Sequence, residues 1–260
     1  MSTVPRAGAI IRNFDEVEDP RRRRLIEALT IGALGAGFPA GAVFAQGFFG
    51  SRPEKLPPSR SVYRITGTAS VNGTAATPET IVRPGDTVET GRDSEFIFVV
   101  GGHSMILRSE ARLVIEGVRP KAQSAPAASW LISGLRLLTG KLLSVSRESR
   151  MRITTATATI GIRGTGWYAE SDPERTYFCT CYGTTDVGAV SDPQSKETII
   201  SEHHDRPLYI LGKSASGKAI RSAPFINHTD QELALIEALV GREPPFVFPK
   251  DDYGGPRRIY

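Results

Sequence analysis

From Ser61 onward, short runs of β-branched and aromatic residues are interrupted about every ten residues by residues that turn the backbone. This rhythm constrains the fold more than any other feature. Val62-Tyr63-Arg64-Ile65 stops at Gly67, and Ala69-Ser70-Val71 stops at Asn72-Gly73, a pair suited to a tight hairpin turn. Pro84-Gly85-Asp86 is a turn, because Pro fixes φ and Gly supplies a positive φ. Phe96 to Val100, Met105 to Leu107 and Leu113 to Ile115 follow, separated by Gly101-Gly102 and closed by Gly117. After a Pro-, Ala- and Ser-rich stretch at 119–129, read as an exposed loop, come Leu135–Leu138, Lys141–Val145 and Met151–Thr154. The spacing predicts an all-β body.

One helix interrupts this pattern near the C-terminus. Thr229-Asp230-Gln231-Glu232 has the form of a capping box, in which Thr caps the third backbone N–H and Glu reaches back. Leu233, Ile236, Leu239 and Val240 then share one face, and Gly241 with Pro244-Pro245 ends the helix. A helix this short needs an apolar surface to dock on. From Lys250 the chain reads as a loose tail.

The N-terminus reads as an address. Arg21 to Arg24 precede a Gly- and Ala-rich apolar run from Ala28 to Ala45 that closes on Val43-Phe44-Ala45. A basic start, an apolar middle and a small-residue exit predict an export signal. The arginine pair and the mild, glycine-rich run are similar to a twin-arginine signal, with an ordinary secretory signal and an uncleaved anchor as alternatives. Residues 46–60, rich in Pro, Ser and charge, read as a linker. Removing the six Arg and five acids of the first 45 residues from the 32 basic and 28 acidic residues of the chain leaves 26 and 23, or +3. So weak and dispersed a balance does not support nucleic-acid binding.

Two blocks carry a family resemblance. Val82-Arg83-Pro84-Gly85-Asp86-Thr87-Val88-Glu89-Thr90-Gly91-Arg92-Asp93-Ser94 resembles the Gly-Asp, Thr-Gly and Ser pattern of FecR domains. The segment from Thr154 to Tyr168, with Gly161-Ile162-Arg163-Gly164-Thr165-Gly166-Trp167-Tyr168, resembles the most recognisable stretch of that family. The resemblance covers about residues 61 to 200. It implies a periplasmic, β-solenoid-like sensing module, which in the family's regulators lies behind a sigma-binding domain and a membrane helix and meets an outer-membrane receptor. Residues 1–24 are too few for a folded sigma-binding domain, so a binding or scaffold role is expected rather than sigma regulation. Gly161, Gly164 and Gly166 are expected to permit tight backbone corners. They form no phosphate loop, because no Lys-Ser/Thr follows.

Chemistry-bearing side chains concentrate in the last third. Cys179 and Cys181 are one residue apart in a strand pattern, which puts both on one face. His203, His204 and His228 follow. Thiolates with imidazoles suit zinc, copper or an iron or haem centre, and a tetrahedral Cys2His2 shell is chemically reasonable. Adjacent histidines on a strand face opposite ways, so one of His203 and His204 is expected to ligate unless the segment is irregular. The alternatives are a Cys179–Cys181 disulfide, two buried small side chains with surface histidines, or a thiol enzyme using a Cys–His pair. No nucleophile elbow, metalloprotease helix or dinucleotide fingerprint is present, and the turn carboxylates Asp86, Glu89, Asp93, Glu170 and Asp172 read as solvated.

The sequence therefore predicts a mainly β, solenoid-like fold of stacked short strands, with one C-terminal amphipathic helix docked on it. Its parts are an export signal at 1–45, a linker at 46–60, a FecR-like β domain at 61–212 and an extension at 213–260 with a helix at about 229–240. The expected function is a non-enzymatic periplasmic binding or sensing module acting on a protein or envelope partner. No nucleic acid and no membrane span beyond the N-terminal signal or anchor are expected. The alternatives are a small metal-binding or thiol-redox protein using Cys179, Cys181, His203, His204 and His228, or a structural envelope protein.

Overall fold

The structure is a computed structural model and describes residues 53–118, 131–213 and 218–246. The export signal, the 119–129 loop and the tail after Lys250 lie outside the described residues. Among the described residues, thirteen strands form one antiparallel sheet and a single helix follows them. The mainly β architecture with one C-terminal helix is as the sequence predicts.

The short strands are β1 (Val62–Thr66), β2 (Ala69–Val71), β3 (Thr74–Ala75), β4 (Thr87–Thr90), β5 (Glu95–Val100), β6 (His103–Leu107) and β7 (Arg112–Val118). Three long strands come next: β8 (Leu131–Thr154), β9 (Ala158–Ser171) and β10 (Arg175–Ala189). They are followed by β11 (Lys196–Ser201), β12 (Leu208–Leu211), β13 (Ile220–Ser222) and the helix α1 (Asp230–Leu239). β8, β9 and β10 pair along their lengths, and shorter strands tile their outer edges. β7 and β6 share the edge of β8, while β12 and β11 share the edge of β10.

The three runs read as separate strands between Leu135 and Thr154 are thus one strand. The last two join through a register shift against β9 between Ser146 and Arg150, and the first two join at Gly140. This glycine takes a positive φ of 86°, and a Cβ there would stand 2.4 Å from the Cβ of Ala111, so β8 turns past the β7 corner without breaking.

Turn residues of the first family-like block act structurally. Asp86 accepts from Asn72 Nδ2 at 3.0 Å and from the Arg83 N–H at 2.7 Å, pinning two turns together. Ser94 Oγ accepts from the Thr68 N–H at 2.9 Å. Neither residue is solvated: both are buried.

Alternation across the long strands separates two apolar faces. The row Met105, Ser144, Trp167, Thr180 faces the main core, whose members include Phe96, Leu113, Ile153 and Trp167. The next row, Ile106, Leu143, Tyr168, Cys179, faces the other way, under α1. Leu233, Ile236 and Leu239 cover it, each fully buried. Burial of this kind is worth about 1.5–3 kcal/mol per side chain, which is what holds so short a helix.

The capping box is present: Thr229 Oγ1 accepts from the Glu232 N–H at 3.3 Å, and Glu232 Oε2 from the Thr229 N–H at 2.9 Å. Glu232 also accepts from the buried guanidinium of Arg108 at 2.8 Å, and Arg108 donates to the Asn227 carbonyl as well. At the other end of α1, Arg242 pairs with the buried Glu237 at 2.8 Å. Leu56, in the segment read as a linker, is buried, and its N–H donates to the Leu239 carbonyl at 2.9 Å.

Candidate metal centre

Cys179 lies opposite Tyr168, and Thr180 opposite Trp167, but Gly166 is opposite Tyr182. Cys181 therefore has no partner residue on β9, and the strand bulges there. The bulge turns Cys179, Cys181 and Tyr182 all toward the helix side of the sheet. Gly166 makes this possible, because a Cβ at that position would stand 2.4 Å from Tyr182 Cε1. Gly164 has a positive φ of 62°, whereas Gly161 takes neither role.

Two segments bring imidazoles to this face. After β11, Asp205 Oδ2 accepts from the Glu202 N–H at 2.7 Å, closing a tight turn, and His204 adopts a positive φ of 55°. The His204 N–H donates to the Cys181 carbonyl at 2.9 Å, so the turn is docked on the bulge itself. His228 arrives from the segment before α1, with its ring stacked on Tyr168 at 4.5 Å.

Donor atoms of Cys179, Cys181, His204 and His228 all lie within 4.8 Å of one another. Cys179 Sγ is 3.4 Å from His204 Nδ1, and His204 Nδ1 is 3.2 Å from His228 Nε2. A tetrahedral ion with bonds of about 2.3 Å to sulfur and about 2.0–2.1 Å to nitrogen has edges of about 3.3 Å between nitrogens and about 3.6 Å between nitrogen and sulfur. The two separations are already close to those edges.

The remaining ring nitrogens are fixed by partners that can only accept. His228 Nδ1 donates to the Ile226 carbonyl at 2.7 Å, and His204 Nε2 donates to Asp230 Oδ1 at 3.0 Å. When the rings are neutral, their inward nitrogens carry lone pairs that face each other. This is the outer-shell arrangement that orients metal-bound histidines. Phe225 packs on His204 at 4.4 Å between ring centres, which shields the centre.

The electrostatics point the same way. Burial opposes a thiolate at Cys179, yet hydrogen bonds from Cys181, His204 and His228 hold it well below the ordinary thiol range. Burial also opposes an imidazolium at His204, but Asp230 and Cys179 outweigh it and raise its pKa to about 9. Burial and the neighbouring Cys179 push Cys181 up. A shared cation would let both sulfurs ionise.

His203 does not join this cluster. It points outward, with Nε2 at 3.0 and 2.9 Å from the two oxygens of Asp230. The cysteines are not joined by a disulfide. Asp230 escapes sequence reading because an acid in the first turn of a helix already has an explanation in the helix dipole. Cys179, His204 and Asp230 are also ordered like nucleophile, base and orienter. Both cysteines, however, have no exposed surface, and a nucleophile must reach its substrate.

No protein-family model matches the chain, and no curated protein is similar to it in sequence. Among solved structures, two crystal structures of a proposed anti-sigma factor from Parabacteroides distasonis ATCC 8503 are similar, each at 11% identity over 53% of this chain. Their TM-scores are 0.39 and 0.38, and the matched region spans 58% of that chain. A likeness this distant assigns neither family nor activity.

Proposed function

We propose that this chain is a metal-binding protein whose β body and C-terminal segment together hold a Cys2His2 centre made of Cys179, Cys181, His204 and His228. One observation carries the reading: four soft or borderline donors lie within 4.8 Å of one another, two of their separations match tetrahedral edges, and the outward nitrogen of each histidine is held by an acceptor. Two sulfurs and two nitrogens in a tetrahedron suit Zn2+ best among common ions. Four protein donors around one point leave no place for a haem, whose own nitrogens fill four positions. With all four positions filled by protein, the centre is of the closed, structural kind. Its role is to tie the turn after β11 and the segment before α1 to the bulge in β10.

Elemental analysis of the purified protein tests this beside a Cys179→Ser/Cys181→Ser variant. About one zinc per chain retained through exhaustive dialysis in the parent, and none retained in the variant, is the expected result. A metal-free parent with two titratable thiols sinks the reading.

A second reading concerns where and on what the protein acts. The two FecR-like blocks at 82–94 and 154–168, behind the arginine-led apolar run, favour an exported binding or sensing module with a protein or envelope partner. The metal centre would then stabilise its scaffold. A tagged version retained in the cytoplasm contradicts it.

A further inference from the structure

His203 and Asp230 stand between solvent and the buried centre. The side chain of His203 is 46% exposed, that of Asp230 25%, and that of His204 8%, while the two cysteines beyond have no exposed surface. His204 belongs to both groups: Nδ1 faces Cys179 and His228, whereas Nε2 faces Asp230. The donor atoms of His203, His204 and Asp230 also lie within 4.8 Å of one another. Two imidazoles and a carboxylate are a normal divalent-metal donor set, and the open side toward solvent leaves room for water ligands. Phe246 packs against the His203 ring at 4.6 Å, limiting its freedom to swing away.

A centre with fully buried sulfurs needs a path by which its ion arrives. We infer that His203, Asp230 and His204 Nε2 form an outer, weaker site for a divalent metal ion, and that this site loads the buried centre through the shared His204 ring. The inference rests on the reading of the inner cluster as a metal centre. In the outer state the ion replaces the proton on His204 Nε2, which leaves to solvent, and is held by His203 Nε2, an Asp230 oxygen and His204 Nε2, while His204 Nδ1 keeps the other ring proton and donates it toward the Cys179 thiolate.

On transfer the ion exchanges these three donors for the two sulfurs, His204 Nδ1 and His228 Nε2. Cys181 releases its proton to solvent. The His204 ring proton passes from Nδ1 to Nε2, where Asp230 accepts its hydrogen bond as observed. The oxidation state of the metal does not change. Because a ring nitrogen uses its lone pair for either a proton or an ion, the neutral ring serves the two sites in turn.

Cobalt(II) added to metal-stripped full-length protein provides the test, since its tetrahedral thiolate complex absorbs strongly and reports the inner centre alone. His203→Ala should slow the growth of that absorbance by about ten-fold or more while leaving the final spectrum unchanged, because no inner ligand is altered. Separately, the Cys179→Ser/Cys181→Ser protein should bind one weakly absorbing cobalt ion, and adding His203→Ala should abolish that binding. Loading of His203→Ala at the parental rate overturns the inference, whatever the double-serine protein does. A parent that never develops the thiolate band refutes the inner centre instead, so the two failures are distinguishable.

Discussion

Gly166 lies beneath the ring of Tyr182 so closely that a single added methyl would stand 2.4 Å from Cε1. The contact joins β9 to the bulge that places Cys181, and the Tyr182 hydroxyl in turn donates to the buried Glu237 of α1. Gly166→Ala should therefore cost about 1–3 kcal/mol by overpacking and also weaken metal binding, because the ring can escape only by shifting the bulge. Thermal unfolding and chelator competition on one sample check both parts. A loss of stability with unchanged metal affinity would show that the bulge does not depend on this contact.

His103 supplies an acid-sensitive element away from the metal ligands. Burial, with the nearby charge of Arg242, lowers its pKa to about 4. The unfolded chain protonates this ring near pH 6.5, so between those values the unfolded state binds more protons. The stability that neutral His103 contributes is present above pH 6.5 and is lost as pH falls toward 4. Urea midpoints for parent and His103→Leu proteins, both metal-free, should diverge across that window. The parent should show up to about 1.4 kcal/mol of extra dependence per pH unit. Parallel curves would contradict the assignment.

How far the sequence reaches is clear from particular residues. The strand rhythm and the Thr229–Glu232 box are legible because both are written in adjacent residues. That Cys179 and Cys181 share a face follows from the period of a strand. The choice between His203 and His204 is not legible, because it is made by the Asp205 turn and the positive φ of His204. Continuity of β8 through Gly140 depends on Ala111, far away in sequence, and Asp230 shows its second role only when the turn after β11 is in place. What sequence reading misses here is non-local.

Removing the metal should loosen the ligand segments but leave α1 in position. The ion would add a tie from β10 to the turn at 201–207 through His204 and to the segment at 223–229 through His228, whereas α1 keeps Arg108–Glu232 and Arg242–Glu237. Stripping the ion with a strong chelator should lower Tm by on the order of 10 °C, as loss of a tightly bound ligand does in a domain of this size. Hydrogen exchange should quicken in those two segments first. Equal loss of protection across α1 would mean that the ion, and not the ion pairs, holds the helix.

Asp230 offers the sharpest test of the outer shell. Its carboxylate accepts from His204 Nε2 at 3.0 Å, and hydrogen bonds from His204 and His203 outweigh burial to hold its pKa below the ordinary range. The charged oxygen orients the ring and raises the basicity of Nδ1, the nitrogen turned toward the sulfurs. Asp230→Asn keeps an acceptor of the same shape but removes the charge, whereas Asp230→Ala removes both. Zinc affinity, measured by chelator competition, should fall about ten-fold in the first and toward a hundred-fold in the second. The α1 N-terminus loses a favourable dipole contact in both variants, so stability alone cannot separate them; the graded affinity can. Affinities equal to the parent's in both variants would mean that Asp230 acts only on the helix, and the ring of His204 would then owe its orientation to Phe225 and the backbone bond to Cys181.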